Sequence, residues 1–303
     1  MKNETIFETQ AETFLKQSQS RRRNPVCLAT ITTYRSYLKK WVFPALGSMP
    51  LADIQNGTLR DLIARLSEAH LSASTINVID TLIKAVVASA VDANGEPLHP
   101  RKWNNEFTDL PVIEPKLQKA PTVTPESITA AISRAFNPDK ALYALLAGTG
   151  LRIGEAAILG IREGVNIWDP EAATITVGGT LSRGRVKESP KTEAGYRVID
   201  LHPRLNTWLK IQLGTEPGTP FRADEKTLRS HLIKAGILGG FHAFRRFRVT
   251  RLREAGVPEG LIQYWDGHSG ETMTDRYDKS REEIQLRREW AARVDLGFRL
   301  EAI

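Results

Sequence analysis

The sequence predicts a mainly α-helical protein with a small antiparallel β-sheet, divided into two domains. Three observations carry that expectation. At 303 residues the chain exceeds the size at which a single hydrophobic core stops growing. Its first third carries apolar residues at helical spacing. The stretch "NEFTDLPVIEPKLQKAPTVTPE" then brings four prolines and little periodicity, as an extended connection does. The boundaries expected are a helical domain over 1–110, a linker over 111–124 and a second domain over 125–303.

Along the first domain, Ile31, Tyr34, Leu38 and Trp41 recur at 3-4-3 spacing, the stripe of an amphipathic helix ending before Pro44. Leu59, Leu62, Ile63 and Leu66 repeat it. A third stripe, Ile76, Ile79, Ile83 and Val86, follows a Ser/Thr-rich start suited to capping. Beyond the linker, "PESITAAISRAF" and "DKALYALLAG" read as helices. A Gly-Thr-Gly break and a further helix from Leu151 to Leu159 follow. "ATITV", "TLSRGRV" and "YRVIDL" are rich in β-branched residues and punctuated by glycine, so they read as short antiparallel strands. From 225 onward the pattern is helical again.

Composition narrows the class. Hydrophobic residues make up 41% and charged residues 25%, ordinary for a globular protein. The longest apolar stretch, "ALYALLAG", is too short to span a bilayer, and "MKNETIFETQ" lacks the charged-then-apolar pattern of a secretory signal, so a cytoplasmic protein is expected. A single cysteine, Cys27, excludes an internal disulfide and a cysteine-based zinc site. The net charge of +7 favours an acidic partner, and clustering sharpens this: Arg245, Arg246, Arg248, Arg251 and Arg253 stand together without an acid, and "RRR" fills 21–23. Phe244 and Phe247 within the larger cluster read as core.

Two motifs bear charge where a core is expected. His242, Arg245, Val249 and Leu252 share one helical face, so two polar groups begin a stripe that should be buried. A buried guanidinium needs an anionic partner. That partner is a nearby acid or, close to a helix N-terminus, a phosphate. In "GTGLRIGEAAILG", Arg152 and Glu155 are helical neighbours in an apolar segment, forming an intrahelical salt bridge or a second phosphate ligand with its orienting carboxylate.

Taken together, "TGLRIGE", "PKTEAGYRVIDL", "HAFR", "GH" and a tyrosine nine residues after that "GH" resemble the tyrosine recombinase (phage integrase) family in order and spacing. The resemblance implies a core-binding domain followed by a catalytic domain. Arg152 resembles the first catalytic arginine, His242 and Arg245 the His-x-x-Arg pair, Glu155 the supporting acid, His268 the last basic member and Tyr277 the nucleophile. Lys191 matches the lysine of the family's β-hairpin, with Lys187 four residues upstream as the alternative. The pattern departs from the family at Asp266, where an aliphatic residue usually precedes "GH"; an acid there pairs with a pocket cation or faces solvent. Arg246, Arg248, Arg251 and Arg253 are expected to divide between a solvated face and DNA backbone contacts.

The set suits phosphodiester cleavage without metal or cofactor. A free tyrosine has a pKa of about 10, so only roughly one in a thousand is ionised at pH 7 and the nucleophile needs help from neighbouring cations. Two arginines holding the non-bridging oxygens would neutralise the charge that grows in the transition state. The implied activity is site-specific cutting and rejoining of double-stranded DNA through a 3′-phosphotyrosine, without ATP, by a homo-tetramer on two paired sites. An accessory directionality factor is compatible with it. Rival readings are a type IB topoisomerase, an inactive DNA binder of the same fold, and a metal-dependent nuclease, for which no acidic cluster or His pair at ligand spacing is present. About 25 residues precede the first strong stripe, so a separate arm-binding domain is not expected. In "REEIQLRREWAARVDLGFRL", Leu286, Trp290 and Val294 recur every fourth residue, a stripe expected to dock on a neighbouring protomer.

Overall fold

The computed structural model describes residues 5–114, 123–189, 193–221, 224–268 and 282–300. The chain divides into two compact units, Met1–Gln118 and Lys119–Ile303.

The first unit is helical. Helix α1 (Phe7–Ser20) occupies residues that precede the stripes read from sequence, and buries Phe7, Ala11, Leu15 and Ser18. Helix α2 (Leu28–Tyr37) was expected to stop before Pro44. Instead it runs through a π-helical segment, Leu38–Val42, into α3 (Phe43–Leu46), where Pro44 lies in the first turn. A proline is tolerated there because its missing N–H has no intrahelical partner to lose, and the wider π turn leaves room for its ring. Helices α4 (Asn56–Glu68) and α5 (Ala73–Ala88) bury every residue of their predicted stripes. Ser72 caps α5 by accepting a hydrogen bond from the Thr75 amide at 3.2 Å. All these faces meet in one apolar core, with Tyr34 and Trp41 packed at its edge.

The second unit is built around α7 (Asp139–Thr149), in which every residue from Ala141 to Thr149 is buried. Helix α6 (Pro125–Arg134) packs on one side of it. The helix expected from Leu151 to Leu159 shrinks to one turn, α8 (Ile153–Ala156), because Leu159–Ile161 is taken up as strand β1. Strands β2 (Asn166–Asp169), β3 (Thr174–Val177) and β6 (Arg197–Asp200) complete a sheet in the order β1-β2-β3-β6. The sheet is mixed rather than wholly antiparallel: β1 runs parallel to β2, while β2–β3 and β3–β6 are antiparallel. A separate hairpin, β4 (Thr180–Ser182) with β5 (Arg185–Lys187), turns through Arg183 and Gly184, both at positive φ.

Helices α9 (Pro203–Leu213), α10 (Glu225–Lys234), α11 (His242–Glu254), α12 (Glu259–Asp266) and α13 (Ile284–Arg293) follow. The tail expected to dock on another protomer belongs instead to this unit's own core. Ala291, Val294, Leu296 and Phe298 are buried there, with Trp290 against it and Leu286 half-buried. The four-residue stripe misled because the inward face of α13 is Arg287 and Ala291, and the heavier anchors come from the extended segment after the helix. Arg287 Nε donates to Asp200 Oδ2 at 2.9 Å, and the Arg299 amide donates to Thr129 Oγ1 across 170 positions of sequence. Among the described residues, no helix is long and apolar enough to cross a membrane.

Candidate active site

The site forms where α7, α8, β6, α11 and the end of α12 converge. Helix α7 ends on Gly150, whose left-handed φ of 74° turns the chain sharply. That turn delivers Arg152 to the N-cap of α8. Glu155, one turn on, reaches back: its Oε2 accepts from the Arg152 amide at 2.9 Å and its Oε1 from Arg152 Nη1 at 2.9 Å.

Glu155 is buried, and its second partner is Arg197, an inward residue of β6. Arg197 Nη2 donates to Glu155 Oε2 at 2.8 Å and Nη1 to Oε1 at 3.2 Å, a fork against both carboxylate oxygens. Burial alone would raise the Glu155 pKa. Hydrogen bonds and charge from Arg197, then the Arg152 amide and charge, outweigh it and hold the carboxyl below its ordinary value. Arg197 also donates to the carbonyls of Trp265 at 2.7 Å and Gly195 at 3.0 Å. One guanidinium thus ties α8, the approach to β6 and the end of α12. Arg197 was missed in the sequence, although a charge within "YRVIDL" that must face inward was its signal.

Two further devices fix α8. Asn166, fully buried on β2, donates to the carbonyls of Glu155 at 2.8 Å and Gly179 at 3.0 Å and accepts from the amides of Gly178 and Gly179, both at 2.8 Å. Gly154 allows the β4–β5 hairpin to approach closely, since a Cβ there would stand 2.5 Å from the Leu181 carbonyl oxygen.

From α11, Arg245 enters the same region and is buried. Its Nη1 donates to the Gly150 carbonyl at 3.0 Å, and its Nη2 donates to the Asp266 carbonyl and pairs with Asp266 Oδ2 at 2.9 Å. Burial, reinforced by the charges of Arg152 and Arg197 and opposed by Asp266, lowers the Arg245 pKa to about 10, so it stays charged at neutral pH. Asp266, which the sequence left between pairing and solvent, is therefore buried and paired. His268 is exposed, with Nε2 at 3.3 Å from Arg245 Nη2. His242, one turn before Arg245, is exposed rather than buried as its stripe suggested, because it opens the helix at the rim. Its pKa is lowered, first by partial desolvation and then by Arg245, Arg152 and Arg246, so it is neutral at pH 7.

Arg152, Glu155, Arg245 and His268 are thus brought together, with His242 one helical turn away. Lys191 and Tyr277 lie outside the described residues; Lys187, the alternative to Lys191, is exposed on β5. The other arginines of α11 divide differently from the expectation. Arg248 is buried, with Nη1 at 3.4 Å from the Asp295 carbonyl, and so is no DNA contact. Arg251 and Arg253 pair with Glu254 and Glu259, both at 2.8 Å. Phe244 and Phe247 are core, as read from sequence. Among the described residues, no group of three His, Cys, Asp or Glu side chains could hold a metal ion. Chemically, the arrangement can grip an anion between two acid-anchored guanidiniums and supply imidazoles at its edge.

Comparison with known proteins places this geometry. The family model described as phage integrase, N-terminal SAM-like domain, matches residues 7–67. A tyrosine recombinase XerC-like protein of Caldanaerobacter subterraneus subsp. tengcongensis is 25% identical over 283 residues, covering 80% of this chain and 70% of the relative. The fold is similar to that of the Tn1549 transposon integrase in complex with transposon right end DNA, with a TM-score of 0.65 and 22% identity over 91% of this chain and 98% of that one. It is also similar to a lambda integrase dimer bound to a COC′ core site, with a TM-score of 0.62 and 17% identity over 92% of this chain and 97% of that one. Over residues 7–67 the chain thus matches a phage integrase N-terminal domain, and over most of its length it is similar to a tyrosine recombinase XerC-like protein.

Proposed function

We propose that this chain is a site-specific DNA recombinase that cuts and rejoins duplex DNA through a 3′-phosphotyrosyl bond. The observation that carries the reading is the pair of acid-anchored arginines, Arg152 on Glu155 and Arg245 on Asp266, each held at 2.9 Å and drawn from separate elements. In this scheme the Tyr277 oxygen attacks the scissile phosphorus and loses its proton. Arg152 and Arg245 hold the non-bridging oxygens and stabilise their growing charge. Lys191 protonates the departing 5′ oxygen. His268 hydrogen-bonds the phosphate, and His242, neutral at pH 7, offers an acceptor for proton movement. The phosphotyrosyl ester conserves the energy of the broken bond, so attack by a 5′ hydroxyl rejoins a strand without ATP.

Strand exchange on this plan needs four protomers on two DNA sites. A lambda integrase tetramer bound to a Holliday junction is among the structures of similar fold. An accessory directionality factor would act on that assembly. The test is Tyr277→Phe on a nicked half-site duplex, run on a denaturing gel. Binding is expected to persist and the covalent protein–DNA adduct to vanish, whereas an adduct formed by the Phe variant removes Tyr277 from its role. Assembly on paired sites separates recombination from relaxation by a monomeric topoisomerase.

A further inference from the structure

The acid at Asp266 has no place in the scheme above, yet it is one of the few carboxylates buried in this unit, 7% exposed. A buried carboxylate survives only with charged or hydrogen-bonding partners. Its Oδ2 pairs with Arg245 Nη2 at 2.9 Å and lies 3.6 Å from His268 Nδ1. Between them, Gly267 adopts a left-handed φ of 65°, which turns the chain so that His268 comes back over the same carboxylate. Arg245 is held at three acceptors, the Gly150 carbonyl, the Asp266 carbonyl and Asp266 Oδ2, two of them from this one residue.

The parallel with Glu155 is close. That carboxylate holds Arg152 at 2.9 Å and Arg197 at 2.8 Å. Asp266 holds Arg245 in the same manner at 2.9 Å, with His268 Nδ1 standing 3.6 Å away, beyond hydrogen-bond distance. A leucine at 266 would leave the Arg245 fork with two backbone carbonyls alone and no carboxylate partner. The charge count agrees: with Asp266 ionised, three guanidiniums (Arg152, Arg197, Arg245) face two carboxylates (Glu155, Asp266), still leaving a net cation for a phosphodiester.

We infer that Asp266 is a positioning residue for strand transfer, holding the Arg245 guanidinium, and through it the neighbouring His268 ring, in the arrangement that receives the scissile phosphate. The inference rests on the recombinase reading. Burial pushes the Asp266 carboxyl upward, opposed first by Arg245 of α11, then by His268, by Arg152 ahead of α8 and by Arg197 of β6. The groups that restrain this rise are thus Arg245, which Asp266 is inferred to hold, and its neighbours.

The experiment uses the full chain in single-turnover cleavage of a nicked half-site duplex, with Asp266→Asn and Arg245→Lys made singly and together. Asp266→Asn is expected to cleave about 100-fold more slowly, the scale of a misplaced reacting group, while binding a single site as wild type does. Because Asp266 acts through Arg245, the double variant should be no slower than Arg245→Lys alone. A full additional loss in the double variant means general damage and overturns the inference. Faster cleavage by Asp266→Asn also overturns it, since Asp266 would then compete with the phosphate for Arg245.

A second measurement removes dependence on residual Arg245→Lys activity. On a methylphosphonate at the scissile position, which removes one phosphate oxygen and its charge, the Asp266→Asn deficit should shrink to severalfold. An equal deficit on both linkages overturns the inference. Absence of any adduct with wild type is a different result, and it removes the recombinase reading itself.

Discussion

In the unit of residues 1–118, the buried polar side chains among those described are Ser18, Asp80 and Thr108, set in a core of Phe, Leu, Ile, Val and Ala. In the unit from 119 onward, Glu155, Arg197, Asp200, Arg245, Arg248, Asp266 and Arg287 are all buried, alongside Thr149, Asn166 and Asn206. The first unit is held by area removed from water, which is non-directional and tolerant of small shifts. The second depends on charges that must meet partners at hydrogen-bond distance, where loss of one partner leaves an uncompensated ion. Stability and chemistry are therefore separable in the first unit and bound together in the second. The phosphate site proposed above would need fixed cations, and fixed cations need buried acids.

The contrast can be broken most forcefully at the tail. Truncation after residue 283 removes Val294, Leu296 and Phe298 from the second core, each burial contributing about 1.5–3 kcal/mol, against a domain stability on the order of 5–15 kcal/mol. It also strips Asp200 of Arg287. Hydrogen exchange read by mass spectrometry should show the second unit unprotected and the first unit unchanged. Retained protection around α7 would mean that the tail is an accessory.

Arg197→Met comes next. It removes the guanidinium that forks Glu155 and grips the Trp265 carbonyl, and breaking such a buried pair costs about 3–5 kcal/mol. Denaturant unfolding should move the transition of the second unit by that amount and leave the first where it was. A shift under 1 kcal/mol would place Arg197 outside the network's core.

The smallest effect is one of pH. The folded pKa of Glu155 lies below its ordinary 4.5. Its contribution to stability is therefore complete above that ordinary value and lost as pH falls through the lower folded one. The second unit should weaken in this acid range more than the first, and Glu155→Gln should flatten that slope while lowering stability at neutral pH. An unchanged acid slope would show that other carboxylates govern it.

The helices of the first unit were legible because a stripe of large apolar residues needs one face, as Leu59, Leu62, Ile63 and Leu66 do. Helix α1 was not, because two of its four buried positions are Ala11 and Ser18, too small to stand out as a stripe. In the second unit Arg152, Glu155 and Arg245 stood out because charge at core spacing is conspicuous, His268 entered through the family resemblance alone, and the four do gather. Their organiser Arg197 went unread, although strand alternation places it on the same face as Ile199 and Leu201, because a single charge in a short strand carries no stripe of its own. The parallel β1–β2 pair was invisible for a different reason. "ILGI" is short enough to continue a helix, and only tertiary pairing decides that it does not. The tail was misread because periodicity locates a stripe without saying whose surface it covers.

The tail also bears on how the protein is made. A core whose walls run from Ile128 to Phe298 cannot close until the last of these has left the ribosome, whereas the first unit, with its own core, can fold while synthesis continues. Until Arg287 arrives, Asp200 lacks its guanidinium partner, and β6, the strand that carries Arg197, lacks its final restraint. A nascent or prematurely terminated chain would thus possess its first unit without the assembled cluster of Arg152, Glu155, Arg197 and Arg245. Under the proposed recombinase function, the capacity to break DNA would be acquired late in translation.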